Sequence, residues 1–461
     1  MNIRQTCIAV MLAVTAVGIH ASEAKLELPA LRAIVTDPLH SVAPGCAVGV
    51  FDDGTDLITA AGMADMAGER PIDGDTLFYA ASVSKQFTAL AIAQLVVGGR
   101  LRLDDDVRKY IPQLPRYEVP VTIAMLLHHT SGIRDWIGLM QLAGRDAAAR
   151  DGAQVALQLV LEQKSTNFRP GTQFLYSNGG YLLLAEVVAR ASGLPFHEYE
   201  RKYVLDPMGM RDSYFLHGAD PQSDTAAHGY VPKDGGFVVR DTYPRFGGSG
   251  GLMTSMNDLA RYYRDISVGH KVWTPEVSTV MLTPGTFTNG VAVEYEPGGA
   301  MGYASGLTVG QRRGQFTVQH DGAADGFRNE FGWFPRARLG VGLLCNRGDW
   351  NPLDKFDAVV QQVRPGFLAG STPEDLRGVY HSDELAADYI IVPEGDALRL
   401  TIVSTSGVPA KTMLMHKATG ADHGGGYAGS GMYLTPDADG RDIVVGTGRA
   451  RGIRLVRTPA N

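Results

Sequence analysis

The feature that most restricts the fold of this 461-residue chain is a helix that begins with the sequence Ser-Val-Ser-Lys. Apolar residues at helical spacing predict that it is buried and runs from Ser82 to about Gly98. They are Phe87, Leu90, Ala91, Ile92, Leu95 and Val96. Ser82 and Lys85 therefore lie one turn apart on the same face. The unpaired N–H groups and positive dipole end of a helix N-terminus suit developing negative charge, and the nearby amine can take the hydroxyl proton.

Two further polar motifs follow, and the three together predict a serine acyl-transfer site. Residues 176–178, Tyr-Ser-Asn, fall in a loop just before a predicted helix over 180–192. Residues 320–322, His-Asp-Gly, fall where a predicted strand ends. The Ser-x-x-Lys pattern alone is weak, because a second copy spans residues 22–25. The order and context of the three motifs carry the prediction.

The pattern along the chain indicates a mixed α/β domain followed by an all-β domain. Strands are predicted at 44–50 and 56–63, and then at 306–309, 315–319, 328–334 and 340–345. The region between, 82–212, is mostly helical, with helices at 123–127 and 151–163 besides the two above. Beyond residue 365, short strand-like runs at 389–392, 398–403, 413–416 and 443–446 predict the second domain.

The first 24 residues have the order of a secretory signal. Arg4 precedes an apolar run over 8–19, and small residues follow at 21, 22 and 24. The run is too short to span a bilayer. We therefore expect residues 1–24 to be removed, and the product to be periplasmic or secreted without an integral membrane segment.

Composition and charge restrict the partners. The chain is 44% apolar and 20% charged, as ordinary globular proteins are. Its net charge of −7 and sequence pI near 6.0 come without a basic run. Nucleic acid is therefore not an expected partner.

With the motifs placed, the chain resembles the penicillin-binding-protein-like serine hydrolases. This group contains class C β-lactamases, D-alanyl-D-alanine carboxypeptidases, D-aminopeptidases and esterases. The resemblance extends over about 28–347 and includes the segments FYAASVSK at 78–85, TIAMLLHHTSG at 122–132, PGTQFLYSN at 170–178, PMGM at 207–210 and GGLMTSMNDLA at 250–260. It implies a β-lactamase/transpeptidase-like domain over 25–365, with an antiparallel sheet of about five strands and a helical subdomain. A small β-barrel or β-sandwich over 371–461 would follow.

The resemblance also implies residue roles. Ser82 would be the acyl-accepting nucleophile, Lys85 would activate it, and Tyr176 would act as general base and as acid toward the leaving group. Asn178 would offer its amide to Lys85 and to the substrate carbonyl. Substrate binding would also involve His320, Gly322 and Ala323, and the backbone N–H groups of Ser82 and Ala323 would form the oxyanion hole. No metal or organic cofactor is implied. His128 and His129, beside the Thr-Ser-Gly segment, are interpreted as structural.

The third motif departs from the Lys-Thr-Gly or Lys-Ser-Gly of the related β-lactamases. His320 stands in place of the lysine, and Asp321 in place of the hydroxyl residue. A neutral imidazole provides no fixed cation for a substrate carboxylate, and Asp321 would repel one. We therefore expect an esterase, D-amino-acid peptidase or carboxypeptidase, with small molecules, peptides or peptidoglycan fragments as substrates.

Alternatives remain open at this point. The chain is alternatively a catalytically inactive cell-wall or peptide-binding relative, or a weak β-lactamase. A Gly-x-Ser-x-Gly match at 247–251 suggests an α/β-hydrolase elbow, but Pro244 interrupts the strand that such an elbow requires. Finally, the first and last sheet strands are neighbours in relatives, so the resemblance suggests a disulfide between Cys46 and Cys345.

Overall fold

The computed structural model describes residues 28–40, 42–52, 55–146, 152–218, 223–241, 243–295, 300–368, 376–394, 397–404, 410–417, 426–430, 432–436, 442–447 and 453–458. The expected secretory signal and the second Ser-x-x-Lys copy lie outside these residues. Within them, no helix is both long and apolar enough to cross a membrane.

An antiparallel sheet forms the centre of the first domain. The strands described between residues 28 and 368 are β1 (Cys46–Asp52), β2 (Thr55–Ala61), β3 (Met63–Asp65), β4 (Arg70–Pro71), β5 (Phe78–Tyr79), β6 (Tyr214–Phe215), β7 (Tyr230–Lys233), β8 (Gly236–Val239), β9 (Leu252–Thr254), β10 (Met301–Tyr303), β11 (Thr308–Arg312), β12 (Gln315–Ala324), β13 (Phe327–Phe334) and β14 (Leu339–Cys345). The central sheet has the order β10-β11-β12-β13-β14-β1-β2. The predicted class of fold is confirmed, but the sheet has seven strands rather than about five. The three-residue edge strand β10 is too short to show an alternating pattern.

Helices cover both faces of this sheet. They are α1 (Leu28–Ile34), α2 (Ser84–Val97), α3 (Ile123–Leu127), α4 (Trp136–Leu142), α5 (Gly152–Leu161), α6 (Asn178–Ser192), α7 (Phe196–Tyr199), α8 (Asp206–Met208), α9 (Met256–Arg264), α10 (Pro275–Leu282) and α11 (Pro352–Val363). The π-helical turn Glu200–Leu205 joins α7 to α8. On one face, Phe331 and Trp333 of β13 join a core with the central helices. On the other, β1 and β14 pack against α1 and α11.

Helix α2 is the buried helix that the sequence predicts. Every residue from Ser84 to Leu95 except Gln94 is buried, including the polar residues Ser84, Lys85, Gln86 and Thr88. A helix that is apolar on all sides is stable only inside a core. The sequence therefore fixes both the helix and its central position.

A disulfide joins the two cysteines of the central sheet. Cys46 and Cys345 are directly opposite each other in the β1–β14 pair, and their sulfur atoms are bonded. The pairing suggested by the resemblance is therefore present. The bond closes a loop across almost the whole first domain, because 299 positions separate the two residues.

The C-terminal unit is a closed barrel. Its strands are β15 (Gly378–Ser382), β16 (Ala387–Glu394), β17 (Ala397–Ser404), β18 (Lys411–Lys417), β19 (Tyr427–Gly429), β20 (Met432–Pro436), β21 (Ile443–Thr447) and β22 (Ile453–Arg457), and β15 pairs with β22. Buried side chains such as Tyr380, Leu400 and Met415 form its core. This confirms the all-β expectation and decides between barrel and sandwich. Closure leaves the barrel without edge strands.

Candidate active site

Ser82 lies on a tight turn rather than in the first α-helical turn. Strand β5 leads into a 3-10 turn over Ala81–Val83, and α2 begins at Ser84. Ala81 has φ +49°, which is the left-handed region that a β-carbon disfavours. The Ser82 side chain remains partly exposed, while Val83 and Ser84 are buried. The turn thus presents one hydroxyl at the N-terminal end of a buried helix.

Lys85 is fully buried beside that hydroxyl. Its Nζ lies 3.0 Å from Ser82 Oγ, 2.8 Å from Asn178 Oδ1 and 2.7 Å from the carbonyl oxygen of Ser249. Burial lowers the pKa of Lys85 to about 7, although Asp135 and Asp321 act in the opposite direction. An amine with this pKa is substantially neutral at physiological pH, so it can accept a proton from Ser82.

Asn178 is held by Asp135, a residue that the sequence analysis did not identify. Asp135 Oδ2 accepts hydrogen bonds from the backbone N–H of Asn178 at 2.7 Å and from its Nδ2 at 2.8 Å. Two donors on one carboxylate oxygen fix the amide, so that Asn178 Oδ1 faces Lys85. Asp135 Oδ1 also caps α4 by accepting from the Ile137 N–H. The predicted contact between Asn178 and Lys85 is present.

Tyr176 lies over Lys85 and packs on His129. The Lys85 Nζ is 4.7 Å from the centroid of the Tyr176 ring, and the His129 ring centroid is 4.3 Å from it. Ser177, next in the chain, donates its backbone N–H to His129 Nδ1 and caps α6 with its hydroxyl. His129 is buried, which agrees with its interpretation as a structural residue.

The hydroxyl of Tyr176 is buried without a hydrogen-bond partner among the described residues. Burial raises the pKa of Tyr176 well above 10, and Asp321 adds to the rise. The Ser82 hydroxyl acts in the opposite direction, although the two hydroxyls lie outside hydrogen-bond geometry. The phenol is therefore protonated at neutral pH and is available to donate.

The third motif lies within strand β12, on the other wall of the site. Residues 315–319 of β12 pair with β11, whereas residues 320–324 have their strand partner only on the β13 side. An added β-carbon at Gly322 would come 2.3 Å from the carbonyl oxygen of Ala80 and 3.2 Å from the backbone nitrogen of Val83. Glycine is therefore required for β12 to approach the Ser82 turn. Ala323 follows as an exposed residue.

His320 is a buried and neutral member of this wall. Its Nδ1 lies 2.6 Å from the backbone carbonyl oxygen of Asp321, so Nδ1 carries the proton. Its Nε2 then accepts from the Tyr303 hydroxyl at 3.0 Å. Burial lowers the pKa of His320, with Asp321 opposing and Lys85 adding to the effect. Both ring nitrogens are thus occupied, and His320 does not supply a cation.

The structure therefore brings together all seven predicted site positions, and adds three groups. Asp135, Tyr303 and the Ser249 carbonyl were missed by sequence reasoning. The glycine tract around Ser249, which resembles a hydrolase elbow, instead lends a backbone oxygen to Lys85. The Ser249 hydroxyl accepts a hydrogen bond from Trp136 Nε1 at 3.0 Å. No group of metal-ligating side chains with the required proximity occurs in the described part of the chain.

The fold and this site define the class of penicillin-binding-protein-like serine hydrolases. The family model described as Beta-lactamase matches residues 31–364, and the chain belongs to this family. Its relatives include D-aminopeptidases and other serine hydrolases of the same fold.

Individual relatives show how far the similarity extends. The chain is 28% identical over 325 residues to a D-aminopeptidase of Cereibacter sphaeroides, which covers 70% of this chain and 60% of that protein. It is 35% identical over 172 residues to penicillin-binding protein 4* of Bacillus subtilis. This alignment covers 37% of this chain and 38% of that protein. The octameric penicillin-binding protein homologue from Pyrococcus abyssi shares the fold, with a TM-score of 0.63, 24% identity and coverage of 90% of this chain and 96% of that chain. The chain thus spans about 60% of the length of the D-aminopeptidase.

Proposed function

We propose that this protein is an exported serine hydrolase that cleaves amides or esters through an acyl-enzyme on Ser82. The observation that carries the proposal is the environment of Lys85. Its buried amine lies 3.0 Å from Ser82 Oγ and has its pKa lowered to about 7. An ordinary lysine would be protonated and unable to act as a base at neutral pH.

In the first step, Ser82 Oγ attacks the substrate carbonyl carbon and transfers its proton to Lys85 Nζ. The new C–O bond converts the carbonyl into an oxyanion. We assign its stabilisation to the backbone N–H groups of Ser82 and Ala323, because Gly322 permits the close approach of β12 to the Ser82 turn. Asn178, fixed by Asp135, would orient the substrate carbonyl.

In the second step, the C–N or C–O bond to the leaving group breaks, and the leaving group takes a proton. Tyr176 is suited to deliver it, because its pKa is raised and its hydroxyl has no other partner among the described residues. Lys85 then restores the tyrosine proton. Water attacks the acyl-enzyme by the same path in reverse. These pKa directions favour Lys85 as the base and Tyr176 as the acid, whereas the resemblance gave both roles to Tyr176.

The substrates that we propose are amides, peptides or esters of the D-amino-acid type. The D-aminopeptidase relatives support this class. The neutral His320 supports it too, because the site lacks the third-motif lysine that would attract a β-lactam carboxylate. Weak β-lactamase activity and cleavage of a D-Ala-D-Ala tripeptide are tested beside the main activity.

Export is supported by two independent features. Residues 1–24 have the order of a secretory signal. The disulfide between Cys46 and Cys345 is typical of proteins that fold in an oxidising compartment. A periplasmic or secreted location follows from the proposal.

A fluorophosphonate and a panel of substrates test the proposal. The panel is p-nitrophenyl butyrate, D-alanine p-nitroanilide, a D-Ala-D-Ala tripeptide and nitrocefin. We expect a covalent adduct on Ser82 by mass spectrometry and turnover of at least one amide or ester. Ser82→Ala should lose both, whereas Ser192→Ala, at the far end of α6, should keep both. Absence of an adduct and of all turnover in the wild type would favour the binding-protein alternative.

A further inference from the structure

Asp321 is an exposed carboxylate at the rim of the Ser82 site. It follows His320 on β12 and precedes the glycine that abuts the Ser82 turn. Its side chain is 43% exposed, and its nearest basic nitrogen is His320 Nδ1, at 3.8 Å. Burial lowers the pKa of that ring below 6.5, so it is neutral at pH 7. In the ranges that the structure describes, the carboxylate accepts no hydrogen bond, so its charge is not neutralised internally.

The charge of Asp321 acts on the groups that carry out the chemistry. It raises the pKa of both Lys85 and Tyr176, although burial is the larger influence on each. It also acts on Glu330, its cross-strand partner, and on Arg328, two positions away on the same strand β13. A carboxylate that influences both the amine and the phenol is close enough to act on a substrate held between them.

None of the other charged groups described around the site forms a hydrogen bond with this carboxylate. Glu330 is buried, and burial raises the pKa of its carboxyl well above 4.5, which favours the uncharged form. Arg328 directs its guanidinium to the backbone carbonyls of Asp325 and Phe327. The Asp135 carboxylate is engaged by Asn178 and by the α4 N-terminus. Asp321 is therefore the carboxylate at this rim with free capacity for a ligand.

We propose that Asp321 binds the ammonium group of the substrate, so that the enzyme selects amides and esters with a free α-amino group beside the scissile carbonyl. This rests on the proposed function, because it uses the same site. An ammonium has three donors, and an exposed carboxylate without hydrogen bonds offers matching acceptors. The same charge repels substrates that carry a carboxylate there, which excludes penicillins and C-terminal carboxypeptidase substrates from efficient turnover.

Two isosteric substrates test this inference in the purified full chain. D-Alanine p-nitroanilide carries an ammonium where D-lactic acid p-nitroanilide carries a hydroxyl. The readout is the ratio of their kcat/KM values. We expect Asp321→Asn to lower this ratio by about tenfold or more, mainly through KM of the cationic substrate. Asp325→Asn, the same charge change in the turn between β12 and β13, should leave the ratio at the wild-type value.

A pH profile provides a readout that a purely structural role of Asp321 would not change. The α-ammonium of the substrate loses its proton near pH 8. The wild-type ratio should therefore fall as the pH rises through about 8, and Asp321→Asn should abolish that fall. The lactic acid substrate carries no ammonium, so its own profile reports only the enzyme groups.

The outcomes separate this inference from the proposed function. A ratio that Asp321→Asn leaves unchanged, with Ser82 still labelled by the fluorophosphonate, overturns the role of Asp321 alone. If neither anilide is hydrolysed, the two amides D-alaninamide and D-lactamide replace them. The ratio of their abilities to protect Ser82 from the fluorophosphonate then reports the preference for an ammonium group. A wild type in which Ser82 is not labelled at all overturns both proposals.

Discussion

The two walls of the site hold their polar groups in different ways. On the α2 wall, Lys85 is fully buried and its amine has three oxygen atoms within 3.0 Å. On the β12 wall, Asp321 is partly exposed and accepts no hydrogen bond within the described ranges. The buried wall is therefore the one on which we propose that proton transfer takes place. The Asp321 carboxylate is open to solvent and to a ligand, so the β12 wall is the one on which we place substrate selection.

Removing the lysine of the α2 wall should have the largest effect. Lys85→Met keeps a long side chain in the buried site but removes the base, so we expect kcat/KM to fall by about 10³-fold. Steady-state hydrolysis of the best panel substrate measures this. Lys109→Met, which removes an exposed lysine paired with Asp105, is the matched control. Retention of more than about a tenth of the activity by Lys85→Met would assign the base to another group.

Loosening the amide that faces Lys85 should have a smaller effect. Asp135→Asn keeps the size of the side chain and its ability to cap α4, but it replaces one acceptor oxygen of the carboxylate with a donor. Asn178 then loses part of its anchor, and misplacement should lower kcat by about 10- to 100-fold. Asp106→Asn, which changes a similar capping carboxylate on the turn Val107–Lys109, should leave kcat unaltered. Equal losses in the two variants would point to a capping role alone.

The pH dependence reports the ionisation of the α2 wall. Lys85 must be neutral to act as a base, and burial lowers its pKa to about 7. For the uncharged D-lactic acid p-nitroanilide, kcat/KM should rise about tenfold per pH unit below that value and level off above it. A plateau that extends unchanged down to pH 5 would contradict the assignment of Lys85 as the base.

The disulfide should affect stability and leave the chemistry of both walls unchanged. Replacing Cys46 and Cys345 together with alanine removes a cross-link over 299 positions, so the free energy of unfolding should fall by about 2–5 kcal/mol. Denaturant unfolding of the two proteins measures this difference. The kcat/KM of the folded variant should stay near that of the wild type, because the other residues paired with the two cysteines across the sheet, Ala61 and Arg328, are not among the predicted site residues. A large loss of activity would show that the spacing between β1 and β14 affects the geometry of the site.

Sequence patterns identified the parts of the site that depend on local geometry. Ser82 and Lys85 are three positions apart, and helical spacing alone places them on one face. The helix over 123–127 was likewise predicted from nearby residues and is confirmed. The roles of Tyr176 and Asn178 came from the resemblance, because more than 90 positions separate them from Ser82.

Other parts of the site carry no local signal. Asp135 also caps a helix, and this local role gives no sign that it holds Asn178. The Ser249 oxygen that accepts from Lys85 belongs to the backbone, so its side chain gives no indication of it. Tyr303 lies in a strand of three residues, which is too short for an alternating sequence pattern to predict its pairing. Each contact depends on residues that are far apart in the chain.

The sequence by itself determined the buried helix with its serine and lysine, the mixed α/β class, the all-β second domain and the replacement of a cation by His320 and Asp321. The first three follow from residue type and short-range periodicity, and the replacement follows from the resemblance to the family. Only the tertiary structure decided that Lys85 is desolvated and that both ring nitrogens of His320 have hydrogen-bond partners, one of them the Tyr303 hydroxyl. It also decided that the Asp321 carboxylate at the rim accepts no hydrogen bond in the described residues. The physical reason is that the pKa of a group and the availability of a charge depend on burial and on partners supplied by distant segments.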